Sequence, residues 1–426
     1  MKIALVSARA DPYIPPVDVH GGTVVMLNLI NSLSRLGHQV DIYTRLDKDI
    51  ESESPERRFR AKRQLEEGGY EVKIDENTHI YRIPYESSGR ETNIWDIQLN
   101  ESATFLNAIE DKLSQGNYDV IHYFHLASIS GWYKKYECPP FLEKSTFSPL
   151  FLAAGRKFET LPKEKIEAER KILNDIPVIS SQSVGEAEKI VKYHNISRDK
   201  ISITPLGVDL SIFYPKKDFY SVLQRDTVLI TSPNNIKPQK KQLEVVKIID
   251  RLKNKGIPVK GIFVGNIGDP TYLEDIFTFL TNNSLSYTNY EGHFSTESFI
   301  SNNSDIIFIP SQREKVLADI IRACDIAIFP STDEGFSLLN LNCLACGTTT
   351  ICTNSSEYSS YLLPNKNSIT VDSTKSWESF AEQAYLLCKN KEKIAELSAN
   401  ASKSATQFTW DAFVANQVKV YEDLCN

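Results

Sequence analysis

Lys2-Ile3-Ala4-Leu5-Val6-Ser7-Ala8-Arg9 is nearly all apolar, which is how a strand buried on both faces of a parallel sheet reads. It runs into a loop holding Pro12, Pro15, Pro16, Gly21 and Gly22, after which Val24, Leu27, Ile30, Leu33 and Leu36 recur at helical spacing. Gly37 ends that helix, and Val40-Asp41-Ile42-Tyr43-Thr44 reads as the next strand. Strand, glycine loop, helix, strand is the opening of a doubly wound α/β domain. Further strands are expected at 79–83, 119–123 and 178–181.

The same grammar restarts further along. Gly207 to Pro215, followed by Lys216, Lys217 and Asp218, reads as a linker. Beyond it come strand 227–231, helix 242–252, strands 259–264 and 305–309, helix 316–323, strand 325–329, helix 338–345 and strand 349–352. The chain therefore reads as two similar α/β domains with a cleft between them. There is no short-period repeat and no low-complexity tract.

Length and composition agree with this division. The 426 residues are enough for two or three domains, and 41% hydrophobic with 24% charged residues is globular composition. A formal net charge of −7 argues against a general nucleic-acid binder. No apolar run approaches the ~18 residues of a membrane span, and the first residues do not form a signal-peptide core. Seven scattered cysteines fit a reducing compartment better than a disulfide scaffold, so a cytoplasmic protein is expected. The run from Glu51 to Glu67 mixes Arg57, Arg58, Arg60, Lys62 and Arg63 with acids, as a solvated helix does.

Two segments carry chemistry. Gly21-Gly22 follows the first strand and opens a helix, whose N-terminal N–H groups can face an anion. In Thr332-Asp-Glu-Gly-Phe-Ser-Leu-Leu-Asn-Leu-Asn-Cys-Leu-Ala-Cys-Gly347, Glu334 sits in a loop beside Gly335, with a helix directly after it. A carboxylate there can hold sugar hydroxyls while the helix N-terminus holds a phosphate. The alternative reading of Glu334 is a loop residue that caps the helix. Cys343-Leu-Ala-Cys346 has redox-like spacing but lies within that helix, with no partner pair for zinc, and reads as helix packing.

The Thr332–Gly347 segment resembles the signature of the retaining glycosyltransferases of family 4, whose pattern is Glu-x-Phe-Gly-Leu followed by Glu-Ala-x-Ala-x-Gly. The resemblance extends along almost the whole chain. Gly21-Gly22-Thr, Leu36-Gly37-His38, Asp119-Val-Ile-His122, Ile203-Thr-Pro-Leu-Gly-Val-Asp209 and Phe408-Thr-Trp410 with Tyr421 follow the family order. The N-terminal third is most similar to the sucrose-phosphate synthase and mycothiol glycosyltransferase branch, in which acceptors are small and often phosphorylated. The resemblance implies the GT-B fold, two Rossmann-like domains facing across a cleft. Residues 1–215 are the expected acceptor domain and 216–405 the expected nucleotide-sugar domain, with 406–426 a helix crossing back to the first.

By that resemblance the expected activity is retaining transfer of a sugar from a nucleotide-diphosphate donor, with a UDP-sugar expected. The acceptor would be a hydroxyl of a small sugar or cyclitol, phosphorylated or not. No metal or other cofactor is implied, and neither nucleic acid nor membrane span is expected as a partner; a homodimer is allowed. Glu334 falls where relatives hold the donor sugar. Their second glutamate, on the ribose, falls on Asn342. Lys240 keeps their diphosphate lysine and Asn235 stands where arginine is usual, with Lys237 or Lys241 able to supply the missing charge. Gly22, Gly335, Phe336, Ser337 and Leu338 complete the donor loops. The base is read by backbone near Phe308-Ile-Pro310. On the acceptor side stand Gly21, His122 and the basic Gly155-Arg156-Lys157. His125 takes the catalytic histidine role, one position later than in relatives, and Phe124 fills the usual slot. These departures keep open a non-catalytic paralogue that binds a sugar nucleotide or a partner, or a sugar-nucleotide epimerase or hydrolase.

Overall fold

The computed structural model describes residues 1–8, 11–13, 21–46, 62–64, 66, 69–84, 94–153, 161–215, 218–290, 294–331 and 334–426. The chain divides into two compact units, Met1–Leu206 with Trp410–Asn426, and Gly207–Thr409.

Unit one carries β1 (Lys2–Ser7), α1 (Gly21–Arg35), β2 (Gln39–Leu46), β3 (Glu71–Lys73), β4 (Thr78–Pro84), α2 (Ile94–Gln115) and β5 (Val120–Phe124). It continues with β6 (Ser145–Ser148), α3 (Lys163–Asp175), β7 (Val178–Ser181), α4 (Val184–His194) and β8 (Ile201–Ile203). Its sheet runs β3-β4-β2-β1-β5-β6-β7-β8. Every pairing is parallel except β3 with β4. Phe105, Leu106 and Ile109 of α2 pack with Ile121, Tyr123 and the fully buried Trp132 beneath one face.

The opening helix starts at Gly21 itself, and its buried residues are Thr23, Val25, Met26, Leu29, Ile30, Ser32 and Leu33. The expected stripe through Val24, Leu27 and Leu36 is thus rotated, and Leu36 is exposed. The reason is that α1 packs on β2 and also on the returning helix near the C-terminus, so its buried arc is set by two neighbours.

Unit two carries β9 (Val228–Ser232), α5 (Gln242–Asn254), β10 (Val259–Val264), α6 (Pro270–Asn282), β11 (Tyr287–Asn289), α7 (Thr296–Ser301) and β12 (Ile306–Ile309). After these come α8 (Glu314–Ala323), β13 (Ile326–Phe329), α9 (Leu338–Ala345), β14 (Thr349–Asn354), β15 (Ser368–Asp372), α10 (Trp377–Lys389) and α11 (Lys391–Ala405). The order β11-β12-β10-β9-β13-β14-β15 is parallel throughout. Neighbouring strand residues point to opposite faces. Accordingly Ile230, Phe263 and Phe308 enter the core cluster that holds residues of α5 and α10, whereas Leu229, Ile262 and Ile307 enter the cluster that holds Phe299 and Ile320. Both faces are covered, so the strands read as continuous apolar runs.

The segment read as a linker belongs to unit two. Val208 bridges to Thr409, Phe213 is buried, Arg322 donates to the Ile212 carbonyl (2.9 Å) and its guanidinium lies 4.1 Å from the Tyr214 ring centroid. Unit two thus begins at Gly207. The last helix, α12 (Trp410–Cys425), returns to unit one, where Gln417 donates to Ser180 Oγ (3.1 Å).

Candidate active site

In an open α/β sheet, ligands bind outside the carboxyl ends of the strands where the winding direction reverses. In unit two the reversal lies at β9, flanked by β10 on one side and β13 on the other. Lys240 comes from the loop after β9, and Glu334 from the loop after β13. They meet as an ion pair, Lys240 Nζ donating to Glu334 Oε1, with side chains only 19% and 13% exposed.

The Lys240 loop is built for rigidity. Pro238–Lys240 forms a single 3-10 turn, and Lys241 adopts the left-handed conformation (φ 54°) that starts α5. Buried Gln242 holds the loop from beneath, its Nε2 donating to the Asn235 carbonyl (2.9 Å) and its Oε1 accepting from Lys237 N–H (3.3 Å). Asn235 Oδ1 accepts from Asn266 N–H, and Asn266 Oδ1 accepts from Ser311 N–H, both at 3.1 Å. Three strand-end loops are thereby tied together. Gly265 completes the tie, because a Cβ there would come within 2.3 Å of the Asn234 carbonyl oxygen. Asn235, at the position where the resemblance implies an arginine, thus serves as a loop staple. Gln242 and Asn266 escape a motif reading because neither residue type signals chemistry by itself.

Glu334 and Gly335 precede α9, whose N-cap is Ser337, with Asn340 N–H donating to its Oγ (3.4 Å). Phe336 packs against Tyr361 (centroids 5.1 Å apart), and Tyr361 Oη donates to the Ser337 carbonyl (3.3 Å). Burial, with the nearby Glu334 charge adding, pushes the Tyr358 and Tyr361 phenols well up. The wall beside Glu334 is thus neutral and aromatic. Leu338 and Asn342 are half-buried on α9. Cys343 and Cys346 are fully buried, and burial holds the Cys343 thiol well above its ordinary range, as packing residues require.

Phe308 lies within β12. Its ring lies in the core, 5.5 Å from the Phe263 centroid, and its carbonyl accepts from Tyr290 N–H (2.9 Å). Pro310, past the end of β12, is exposed.

Placing at position 342 the acid that the resemblance implies there gives a direct check on the helix. Asn342→Glu is expected to tighten nucleoside diphosphate binding by about 1 kcal/mol, or roughly fivefold in Kd, because a carboxylate accepts two ribose hydroxyls where the amide oxygen is one good acceptor. Calorimetric titration reads it; weaker binding would mean that the ribose lies elsewhere.

In unit one the reversal lies at β1, between β2 and β5. Gly21 and Gly22 begin α1 after β1, and His125 follows β5. A Cβ on Gly22 would sit 3.4 Å from His125 Nε2, so the two positions adjoin. His125 has φ 66° and ψ 150°, and its N–H donates to the Ser148 carbonyl (3.1 Å). A positive φ is unusual for a residue with a Cβ. The half-buried ring leaves the strand at this bend.

His122 corrects the acceptor-side expectation. It is fully buried, with Nδ1 2.7 Å from Tyr421 Oη, Nε2 2.8 Å from Ser148 Oγ, and its ring stacked on Phe124 at 3.9 Å. It joins β5, β6 and α12 and is sealed from any acceptor. Arg156, Lys157 and most of the 51–67 charged run lie outside the described residues.

Two buried groups set an acid response. Burial pushes His122 down to about 3 from 6.5. Below pH 6.5 the unfolded chain takes up a proton that the folded chain refuses, so this group weakens the fold as pH falls, by up to about 1.4 kcal/mol per pH unit. Glu186, which accepts from Gln182 N–H (2.8 Å) and Ser181 Oγ (2.9 Å), is pushed by burial up to about 7 from 4.5. Its penalty is present above pH 7 and vanishes as pH falls to 4.5. Glu186→Gln is therefore expected to gain Tm over the parent at about pH 8, with the gain shrinking to nothing as the pH approaches the ordinary carboxylate range. A difference that does not vary with pH would refute this.

Comparison with known proteins bears on the family and the fold. The family model described as Glycosyltransferase Family 4 matches residues 19–212, and that described as Glycosyl transferases group 1 matches residues 215–404. The D-inositol 3-phosphate glycosyltransferase of Xylanimonas cellulosilytica is 23% identical over 99% of this chain and 96% of its own. Sucrose-phosphate synthase from Thermosynechococcus elongatus superposes with a TM-score of 0.76 at 16% identity, covering 99% of this chain and 98% of that one. Anabaena HepE in complex with UDP superposes at 0.68 and 12% identity, covering 99% and 100%. The chain is an enzyme of the glycosyltransferase class with the GT-B fold. Within that class it belongs to glycosyltransferase family 4.

Among the described residues no helix is long and apolar enough to cross a membrane, and no cluster of three or more His, Cys, Asp or Glu is placed to hold a metal ion.

Proposed function

We propose that the protein is a retaining glycosyltransferase that moves a sugar from a nucleoside-diphosphate donor, a UDP-sugar first among candidates, to a hydroxyl of a small phosphorylated sugar or cyclitol. Unit two holds the donor and unit one the acceptor. The observation that carries this reading is the meeting of Lys240 and Glu334 at the winding reversal of unit two, where a ligand's charge and hydroxyls are both served. Lys240 and the N-terminus of α9 stabilise charge growing on the departing diphosphate. Glu334 fixes the sugar ring. The acceptor hydroxyl attacks from the face the leaving group vacates, and the departing phosphate oxygen takes its proton. No protein nucleophile and no resident metal enter this scheme, and the setting is the cytoplasm.

The test is incubation with UDP-, GDP- and ADP-sugars and a panel of sugar and inositol phosphates, with the product's anomeric configuration read by NMR. Retention of the donor configuration supports the reading; inversion, or donor turnover without acceptor, rejects it. Lys240→Ala is expected to slow transfer by roughly tenfold or more, about 1.4 kcal/mol in transition-state stabilisation. A smaller loss would move the diphosphate role to Lys237 or Lys241, and testing each singly decides.

A further inference from the structure

Lys240 and Glu334 are each assigned to a different part of the donor, yet they hold one another. We infer that this ion pair is a latch operated by the intact nucleotide sugar, through which Glu334 competes with the diphosphate for Lys240. The inference rests on the donor reading above and extends it to product release.

Burial sets the cost of opening the pair. Side chains exposed by only 19% and 13% hold charges that are expensive to leave without a partner. In the pair each partner satisfies the other, Nζ donating to Oε1. A bare nucleoside diphosphate offers Lys240 a new anion but nothing to Glu334. Taking Lys240 would strand a carboxylate beside the neutral wall of Phe336, Tyr358 and Tyr361. The intact donor brings both replacements together, phosphate oxygens for the ammonium and sugar hydroxyls for the carboxylate. The pair therefore opens at least cost for the nucleotide that still bears its sugar. Once the sugar has left, Glu334 reclaims Lys240 and weakens the hold on the diphosphate product. The device favours donor over product with two side chains.

The test is calorimetric titration of UDP, GDP and ADP into the full chain, using whichever binds best as the probe. Glu334→Gln keeps the shape and removes the competitor, so the probe is expected to bind about fivefold more tightly. Lys240→Ala should weaken it, and adding Glu334→Gln to Lys240→Ala should bring no gain, because the cycle then contains no lysine to release. If Glu334→Gln binds the probe no better while Lys240→Ala binds it worse, the latch is wrong and the donor site stands. If Lys240→Ala alters neither probe binding nor transfer, the diphosphate role passes to Lys237 or Lys241 and the latch is wrong; if none of the three diphosphates binds, the donor site itself is misassigned and the latch falls with it. Glu334→Ala provides the same comparison should the glutamine variant fold poorly, as judged by Tm.

Discussion

Glu334→Gln is expected to lower kcat/KM for transfer by roughly 100-fold. An ionised carboxylate accepts two sugar hydroxyls in charge-assisted hydrogen bonds, which contribute about 1.5–3 kcal/mol each, whereas the amide retains a single acceptor and presents an NH₂ where a hydroxyl donates. A loss near 3 kcal/mol corresponds to that rate. The fall should appear mainly in kcat, because a ring held by one bond samples orientations in which the anomeric carbon is out of line with the incoming oxygen. Initial rates over a range of donor concentrations separate the two parameters. Transfer within about threefold of the parent would remove Glu334 from the site.

The second large effect concerns stability. Asp11→Ala is expected to destabilise unit one by about 3–5 kcal/mol. Arg82 on β4 is 1% exposed, and its Nε donates to Asp11 Oδ2 at 2.7 Å. The same oxygen accepts from Gln64 Nε2 (3.0 Å), and Asp11 Oδ1 accepts from Tyr13 N–H (3.0 Å). Removing the carboxylate strips a guanidinium deep in the unit of its counter-charge and leaves it the neutral Gly69 carbonyl, 3.3 Å from Nη1. Thermal unfolding should show a Tm lower by ~10 °C, at about 2–4 °C per kcal/mol for a unit of this size. Replacing both partners by apolar residues of similar volume should cost much less, since no uncompensated charge remains. Equal losses in the two variants would mean that packing, rather than charge, is what Asp11 supplies.

The two sheets were legible in the sequence for a specific reason. Central strands such as Ile326-Ala-Ile-Phe329 are buried on both faces and appear as unbroken apolar runs. The three-residue strands Glu71–Lys73 and Tyr287–Asn289 lie at sheet edges, half exposed, and carry no such run. Motif spacing singled out Lys240 and Glu334 but not their contact, because 94 residues separate them and only the strand order unites them. The two histidines near β5 looked equivalent by residue type. What separates them is the end of the strand: His122 lies within it and faces α12, whereas His125 falls after it, at the bend. Arg82 and Asp11 were invisible as a pair, since isolated charges in a sequence usually mark a surface.

The return of α12 to unit one makes order of synthesis part of the folding problem. Residues 410–426 emerge from the ribosome only after all of unit two. Until then His122 lacks the Tyr421 hydroxyl and Ser180 lacks Gln417, so the first unit to be made is the last to be completed. Unit two, being contiguous in the chain, has its whole sheet available before that helix exists. Nascent unit one therefore exposes the apolar seat of α12 throughout synthesis of the second unit, which is the interval in which a chaperone would be engaged. A synonymous or structural change that slows translation between residues 207 and 409 lengthens that exposure without altering a single contact of the finished fold.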